Sequence, residues 1–211
     1  MNMFSKLLAI ALSVSALTFA SAASAQEAPD ALVKRISEDV LNTAKSDKDI
    51  QAGNIGRIVA LVEDKILPYV DSERMTALAA GRYWRQATPE QQKQLMTEFR
   101  SLLIYTYSGA LSQVRDQKIE YKPLRADPAD TEVEVRSQVI QSRGEPIQLS
   151  YRLEKLATGW KLYDVNVMGA WLVEAYKGTF QSEITKGGID GLIKSLSDKN
   201  KQLAARSSAK K

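Results

Sequence analysis

Histidine and cysteine are both missing from the 211 residues of this chain. Without imidazole, the usual hydrolytic triads, proton shuttles and zinc sites lose their central group. Without a thiol there is no disulfide stapling and no cysteine nucleophile. Any enzyme here would have to work with carboxylates, tyrosines or lysines. A phosphate-cradling glycine loop, a G-x-S-x-G elbow and a D-x-D-x-D-G calcium loop are absent too. Charge of one sign is also in short supply: 29 Lys and Arg stand interspersed with 25 Asp and Glu, for a net +4 at pH 7. Nucleic acid demands a concentrated basic patch, so a nucleic-acid partner is set aside. Beyond the N-terminal segment, no apolar run approaches the roughly 20 residues of a membrane-spanning helix.

The N-terminal segment is the first thing present. Lys6 precedes an apolar run from Leu7 to Ala20, and small residues follow, ending in Ala23-Ser24-Ala25. A short positive region, an apolar stretch too short for a stable anchor and an A-x-A site make up a secretory signal peptide. The expected outcome is cleavage after Ala25, a mature chain from Gln26 to Lys211 and a location in the periplasm. No cysteine follows the site, so no lipid anchor is expected there.

The rest of the chain is long enough to bury a core as one domain. Its first half has helical periodicity. Pro29 opens a stretch with Leu32, Ile36 and Val40 at four-residue spacing, and Ile58, Leu61, Val62 and Ile66 share a second face. Residues 45–56 read as the loop between them. Asp71 can cap a short third helix that Gly81 closes. Thr88-Pro89-Glu90-Gln91 is a capping box that starts a long helix striped by Leu95, Phe99, Leu102, Leu103, Thr106 and Ala110. The period then changes to two. Residues 118–123, 132–142, 147–153 and 160–168 are strand candidates, with turns at 127–130, 143–146 and Thr158-Gly159. Gly169 ends the meander. Two helical segments follow, 170–185 and 189–203, separated by Gly187-Gly188, and the basic residues 204–211 are expected to be a flexible tail. Helices against one face of a curved antiparallel meander make an α+β domain with a helical N-terminal subdomain and a concave interior.

Several local runs, taken in order, resemble one family. They are Ile66-Leu67-Pro68-Tyr69-Val70-Asp71, Met75, Gly81-Arg82-Tyr83-Trp84-Arg85 and Ala87-Thr88-Pro89-Glu90-Gln91. Phe99, Leu103, Tyr107, the strand from Pro146 to Leu153 and the run from Gly159 to Val165 complete the pattern. Together they resemble the MlaC family, the toluene-tolerance periplasmic phospholipid carriers, from about Ala31 to Leu203. The resemblance implies a fold similar to nuclear-transport-factor-2-like (NTF2-like) domains and a phospholipid-binding domain over residues 26–203. It also implies a phospholipid held by its tails as cargo, no cofactor and no enzyme activity. The partners it implies are an inner-membrane Mla ABC transporter complex and an outer-membrane MlaA-type lipoprotein complex, served by a monomeric carrier. Two positions depart from the family: Trp171 stands where serine is expected, and Lys177 where arginine is common.

Candidate site residues follow from the alternation. Val133, Val135, Val139, Leu149, Tyr151, Tyr163, Val165 and Val167 form the strand face turned to helices bearing Met75, Trp84, Phe99 and Leu103. Taken alone, such faces read as a solid core; the resemblance implies a lipid cavity between them instead. Tyr69, Tyr105, Tyr107 and Trp171 suit a rim, each with an apolar body and a polar tip. Arg82 and Arg85 are headgroup candidates. Asp71 reads as a helix cap, and Asp164 as a structural carboxylate, since no second acid–base group can be named beside it. Two rivals remain open: an NTF2-like enzyme or binder acting on another hydrophobic molecule, and a chaperone, which would want methionine-rich exposed surface.

Overall fold

Side-chain caps start four of the six α-helices of the described residues. The computed structural model describes residues 26–208; the expected signal peptide, 1–25, and residues 209–211 lie outside the described residues. Helix α1, Pro29–Ser46, starts on a proline at its first turn. The Asp47 carboxylate accepts from the backbone N–H of Asp49 and Ile50 and starts α2, Lys48–Gln51, inside the stretch expected to be loop. Asn54 caps α3, Ile55–Lys65, and Asp71 caps α4, Ser72–Ala80, by accepting from Arg74 N–H at 2.7 Å. Gly81 ends α4 at φ +59, ψ −134, a conformation open essentially to glycine. The reciprocal capping box of Thr88 and Gln91 then starts α5, Pro89–Ser112.

The sheet has the order β1-β2-β3-β4-β5, every neighbour antiparallel, from Lys118–Tyr121, Glu132–Ile140, Ile147–Leu156, Gly159–Val167 and Ala170–Trp171. Strand β5 corrects an expectation. Met168 and Gly169, both at positive φ, form a two-residue turn that folds Ala170–Trp171 back onto β4, so the last helix begins at Leu172. That helix, α6, spans Leu172–Ser208 and breaks at Gly187-Gly188, where the glycine pair had been expected to separate two segments. The expected flexible tail is helical as far as Ser208. Leu203 packs on the core, and Ala204, Ala205 and Arg206 are good helix formers that extend the anchored helix at little cost.

A second irregularity decides which side chains reach the interior. Tyr151 pairs with Val165 and Arg152 with Asp164, but Leu153 pairs with Leu162, so β4 carries one residue too many at this point. This β-bulge puts Leu162 and Val165 on the same face and turns both Tyr163 and Asp164 to the other.

The buried core of the described residues falls in three places, one of them formed by Ala44, Ile50, Ile58, Leu61 and Val114 where α1, α2 and α3 meet the end of α5. Leu95, Phe99 and Leu102 of α5 pack against Phe180, Ile184, Leu192 and Leu196 of α6 and Met75 and Ala79 of α4. Phe99 meets Phe180 and Tyr176 edge to face, with centroids 4.9 and 5.2 Å apart. Elsewhere Leu32 and Val33 of α1 close one end of the sheet over Val135, Leu153 and Trp160.

Candidate functional site

Among these packed regions a cavity of about 600 Å³ stays open. The sheet supplies Val139, Ile147, Leu149, Tyr151, Leu153, Leu162, Val165 and Val167 as one wall. Val33, Ile36 and Val40 of α1, Ile58 and Val62 of α3, Met75 of α4, and Met96, Phe99, Leu103, Ile104 and Tyr107 of α5 form the other. Each follows from local periodicity: alternate strand residues face inward, and residues three or four apart share a helix face.

Several hydroxyls in the wall do not make it polar. Thr76 Oγ1 donates to the Ser72 carbonyl at 2.7 Å, and Ser108 Oγ donates to the Tyr105 carbonyl at 3.0 Å. Both hydrogen bonds are spent on the helix backbone. Ser137 Oγ donates to the Tyr151 hydroxyl at 3.4 Å, and burial pushes the Tyr151 phenol above its ordinary pKa, so it stays neutral. At one end Arg35 donates to the Tyr69 hydroxyl at 3.2 Å and sits 4.9 Å from its ring centre. The open side is marked by exposed wall residues: Met168, 71% exposed, Tyr107, 38% exposed, with Ala110 and Gln113.

The cavity brings together Tyr69, Met75, Phe99, Leu103, Tyr107, Val139, Leu149, Tyr151, Val165 and Val167 of the sequence-predicted residues. The others lie elsewhere. Val133 and Val135 are on the inner face but belong to the closed end beneath α1. Trp84 packs on the α5–α6 core, and Tyr105 lies outside the cavity wall although it is on α5. Tyr163 is turned out by the bulge; it lies 3.8 Å beneath Arg74 and donates to Glu132 Oε2 at 3.0 Å. Trp171 is on the outer face, with the Arg152 guanidinium 3.7 Å from its ring centre, so the departure at this position does not reshape the cavity. Arg82 and Arg85 are exposed on the 3-10 turn after α4, Arg82 lying over its neighbour Tyr83.

Asp164 is buried, 2% exposed, outside the cavity. Its Oδ1 accepts from the N–H of Val165 at 2.9 Å and of Val173 at 3.1 Å, and Arg152 stands 3.5 Å from Oδ2. The carboxyl thus ties the first turn of α6 to β4. Burial raises its pKa, opposed by those two backbone donors.

Sequence reasoning missed the α1 and α3 wall, Met168, and Arg100 of α5, a half-buried arginine in the lining. The helix faces themselves were legible; that they border the same space was not. Arg100 stands at helical spacing from Met96, Leu103 and Tyr107, and that spacing was the available signal. Among the described residues no cluster of three or more metal-ligating side chains occurs, and no helix is long and apolar enough to cross a membrane.

A family model described as MlaC protein matches residues 34–198. The chain belongs to the MlaC family. Family members with which it aligns include the intermembrane phospholipid transport system binding protein MlaC of Haemophilus influenzae, 24% identical over 172 residues and 80% of each chain. The toluene tolerance protein ttg2D of Pseudomonas putida is 25% identical, over 79% of this chain and 77% of that one. Among solved structures, the phospholipid-binding protein of Ralstonia solanacearum, determined in complex with a phospholipid, is 50% identical. It superposes with a TM-score of 0.80 over 83% of this chain and 98% of its own.

Proposed function

We propose that this MlaC-family chain is a periplasmic phospholipid carrier that holds acyl tails in the cavity and passes them between membrane complexes. The observation that carries the reading is an apolar-walled space of about 600 Å³, inside the range of roughly 300–1,000 Å³ typical of ligand sites. The wall is apolar yet open to solvent on one side, so water that enters meets few polar partners. A hydrocarbon ligand would withdraw that surface from water. The phospholipid complex of the 50% identical relative supports a phospholipid as that ligand.

Magnitudes then govern the transfer. At about 0.8 kcal/mol per methylene, two acyl chains are worth on the order of 20 kcal/mol against water, so release into solvent is negligible. Unloading requires a docked partner that offers a continuous apolar path. An inner-membrane Mla ABC transporter complex and an outer-membrane MlaA-type lipoprotein complex are the partners this reading assigns. The reading assigns no catalysis: Asp164, taken from the sequence as a structural carboxylate, has its Oδ1 engaged by two backbone donors.

The test is extraction of lipid from protein purified without detergent, compared with Leu149→Glu. Leu149, the third residue of β3, lies on the cavity wall. A carboxylate there would be sealed against hydrocarbon at a cost of several kcal/mol once a tail is bound. We expect phospholipid in the wild-type extract and at least a ten-fold drop in the folded variant. A wild type without phospholipid, or a folded variant that keeps it, overturns the reading.

A further inference from the structure

Four arginines of the described residues are half-buried: Arg35, Arg74, Arg100 and Arg152. Three have carboxylate partners. Arg35 pairs with Glu27 at 2.7 Å, Arg74 with Glu132 at 2.6 Å and also with Glu154, and Arg152 with Asp164 at 3.5 Å. Arg100 has no ion pair, hydrogen bond or ring contact with any described residue, and it alone of the four borders the cavity. Its side chain is half-buried against an apolar wall, and the planar fork of donors, engaged by no described residue, matches a phosphate.

We infer that Arg100 is the anion contact of the cavity and takes the phosphodiester of the bound lipid. This rests on the lipid reading above and adds to it the residue that distinguishes a phospholipid from a neutral lipid with the same tails. It also moves the headgroup contact from Arg82 and Arg85, which are exposed and outside the lining, to α5. Leu103 and Tyr107 share the cavity-facing side of α5 with Arg100, so one helix face presents the cation and the apolar contacts together.

The experiment measures binding of delipidated protein to a phospholipid, to diacylglycerol with identical chains, and to inorganic phosphate, for the wild type and Arg100→Gln. We expect the substitution to weaken phospholipid binding about ten-fold or more, the scale of a charge-assisted contact, and to leave diacylglycerol within about two-fold. Inorganic phosphate should bind neither protein measurably. An equal change for the two lipids, or no change for either, overturns the inference. So does Arg100-dependent capture of inorganic phosphate without lipid, which marks a free-anion site. If the glutamine variant does not fold, Arg100→Met is judged by the same criterion. A wild type that binds neither lipid sinks the lipid reading itself, a result separable from any failure of Arg100 alone.

Discussion

The two sides of helix α5 carry the same kinds of residue and meet opposite surroundings. Toward α6, Leu95, Phe99 and Leu102 are buried in interlocking contacts with Phe180, Leu192 and Leu196. Toward the sheet, Leu103, Ile104 and Tyr107 are only partly covered and border open space. One side holds the fold together, and the other borders the cavity to which the proposed function assigns a lipid. Apolar character does not distinguish a core from a cavity; the distance to the facing element does, and here the curved sheet and α1 stand back while α6 closes in.

The comparison breaks most directly at Phe180 and Leu149. Phe180 is fully buried in the solid region, so Phe180→Ala should cost about 3–5 kcal/mol in a urea titration. Leu149→Ala removes side-chain atoms that already face open space, so the added cavity term is small and the loss should stay near 1–2 kcal/mol for ligand-free protein. Equal losses would mean that the sheet wall is a packed core. Lipid occupancy should respond in the opposite order, falling for the Leu149 variant before the Phe180 variant while both remain folded.

A middle-sized effect sharpens the contrast between the two faces of β4. Asp164→Ala leaves the N–H groups of Val165 and Val173 without their acceptor and should cost about 1–3 kcal/mol, with lipid binding retained in the folded fraction. Asp164→Asn keeps an acceptor oxygen and should cost less. The pH dependence has a definite sign. Because burial raises the folded-state pKa of Asp164, its contribution is fully present below the unfolded-state value and is lost as pH rises through the folded-state value. Stability of the asparagine variant relative to wild type should therefore improve from strongly acidic toward neutral pH. Denaturant midpoints measured across that range check it; a relative decline would contradict the direction.

The smallest effect belongs to the outer cluster. Arg74 and, less strongly, Tyr163 hold the Glu132 carboxyl below its ordinary pKa, and Glu132 is half-exposed. Its contribution is present above the unfolded-state value and lost as pH falls through the folded one. Glu132→Gln should cost under about 1 kcal/mol at neutral pH, less in high salt, and nothing measurable in acid. Such a minor loss beside that of Phe180→Ala would place the stability in packing rather than in the ion pairs of the outer face.

Much of this arrangement was legible in order along the chain. Caps at Asp71 and Thr88, the helix stripe through Leu95 and Phe99, the alternation of β2 and β3 and the break at Gly187-Gly188 all depend on neighbours a few residues away. Where the reading went astray, a local irregularity or a distant partner had intervened. One extra residue in β4 reversed the face of Tyr163, and a tight turn at Met168-Gly169 made a strand of Ala170–Trp171 and put Trp171 beside Arg152. Trp84 carried a binding-site appearance in sequence and went to the solid core.

By itself the sequence determined the elements, their caps and the side of each that avoids water, because those are set by backbone hydrogen bonds and by periods of 3.6 and 2. Only the tertiary structure decided that the avoided faces border a cavity of about 600 Å³ at one place and meet without one at another. It alone also decided that Arg100, of the four half-buried arginines, finds no carboxylate among the described residues. Both outcomes depend on separations between elements far apart in the chain, and a local pattern carries no measure of that distance.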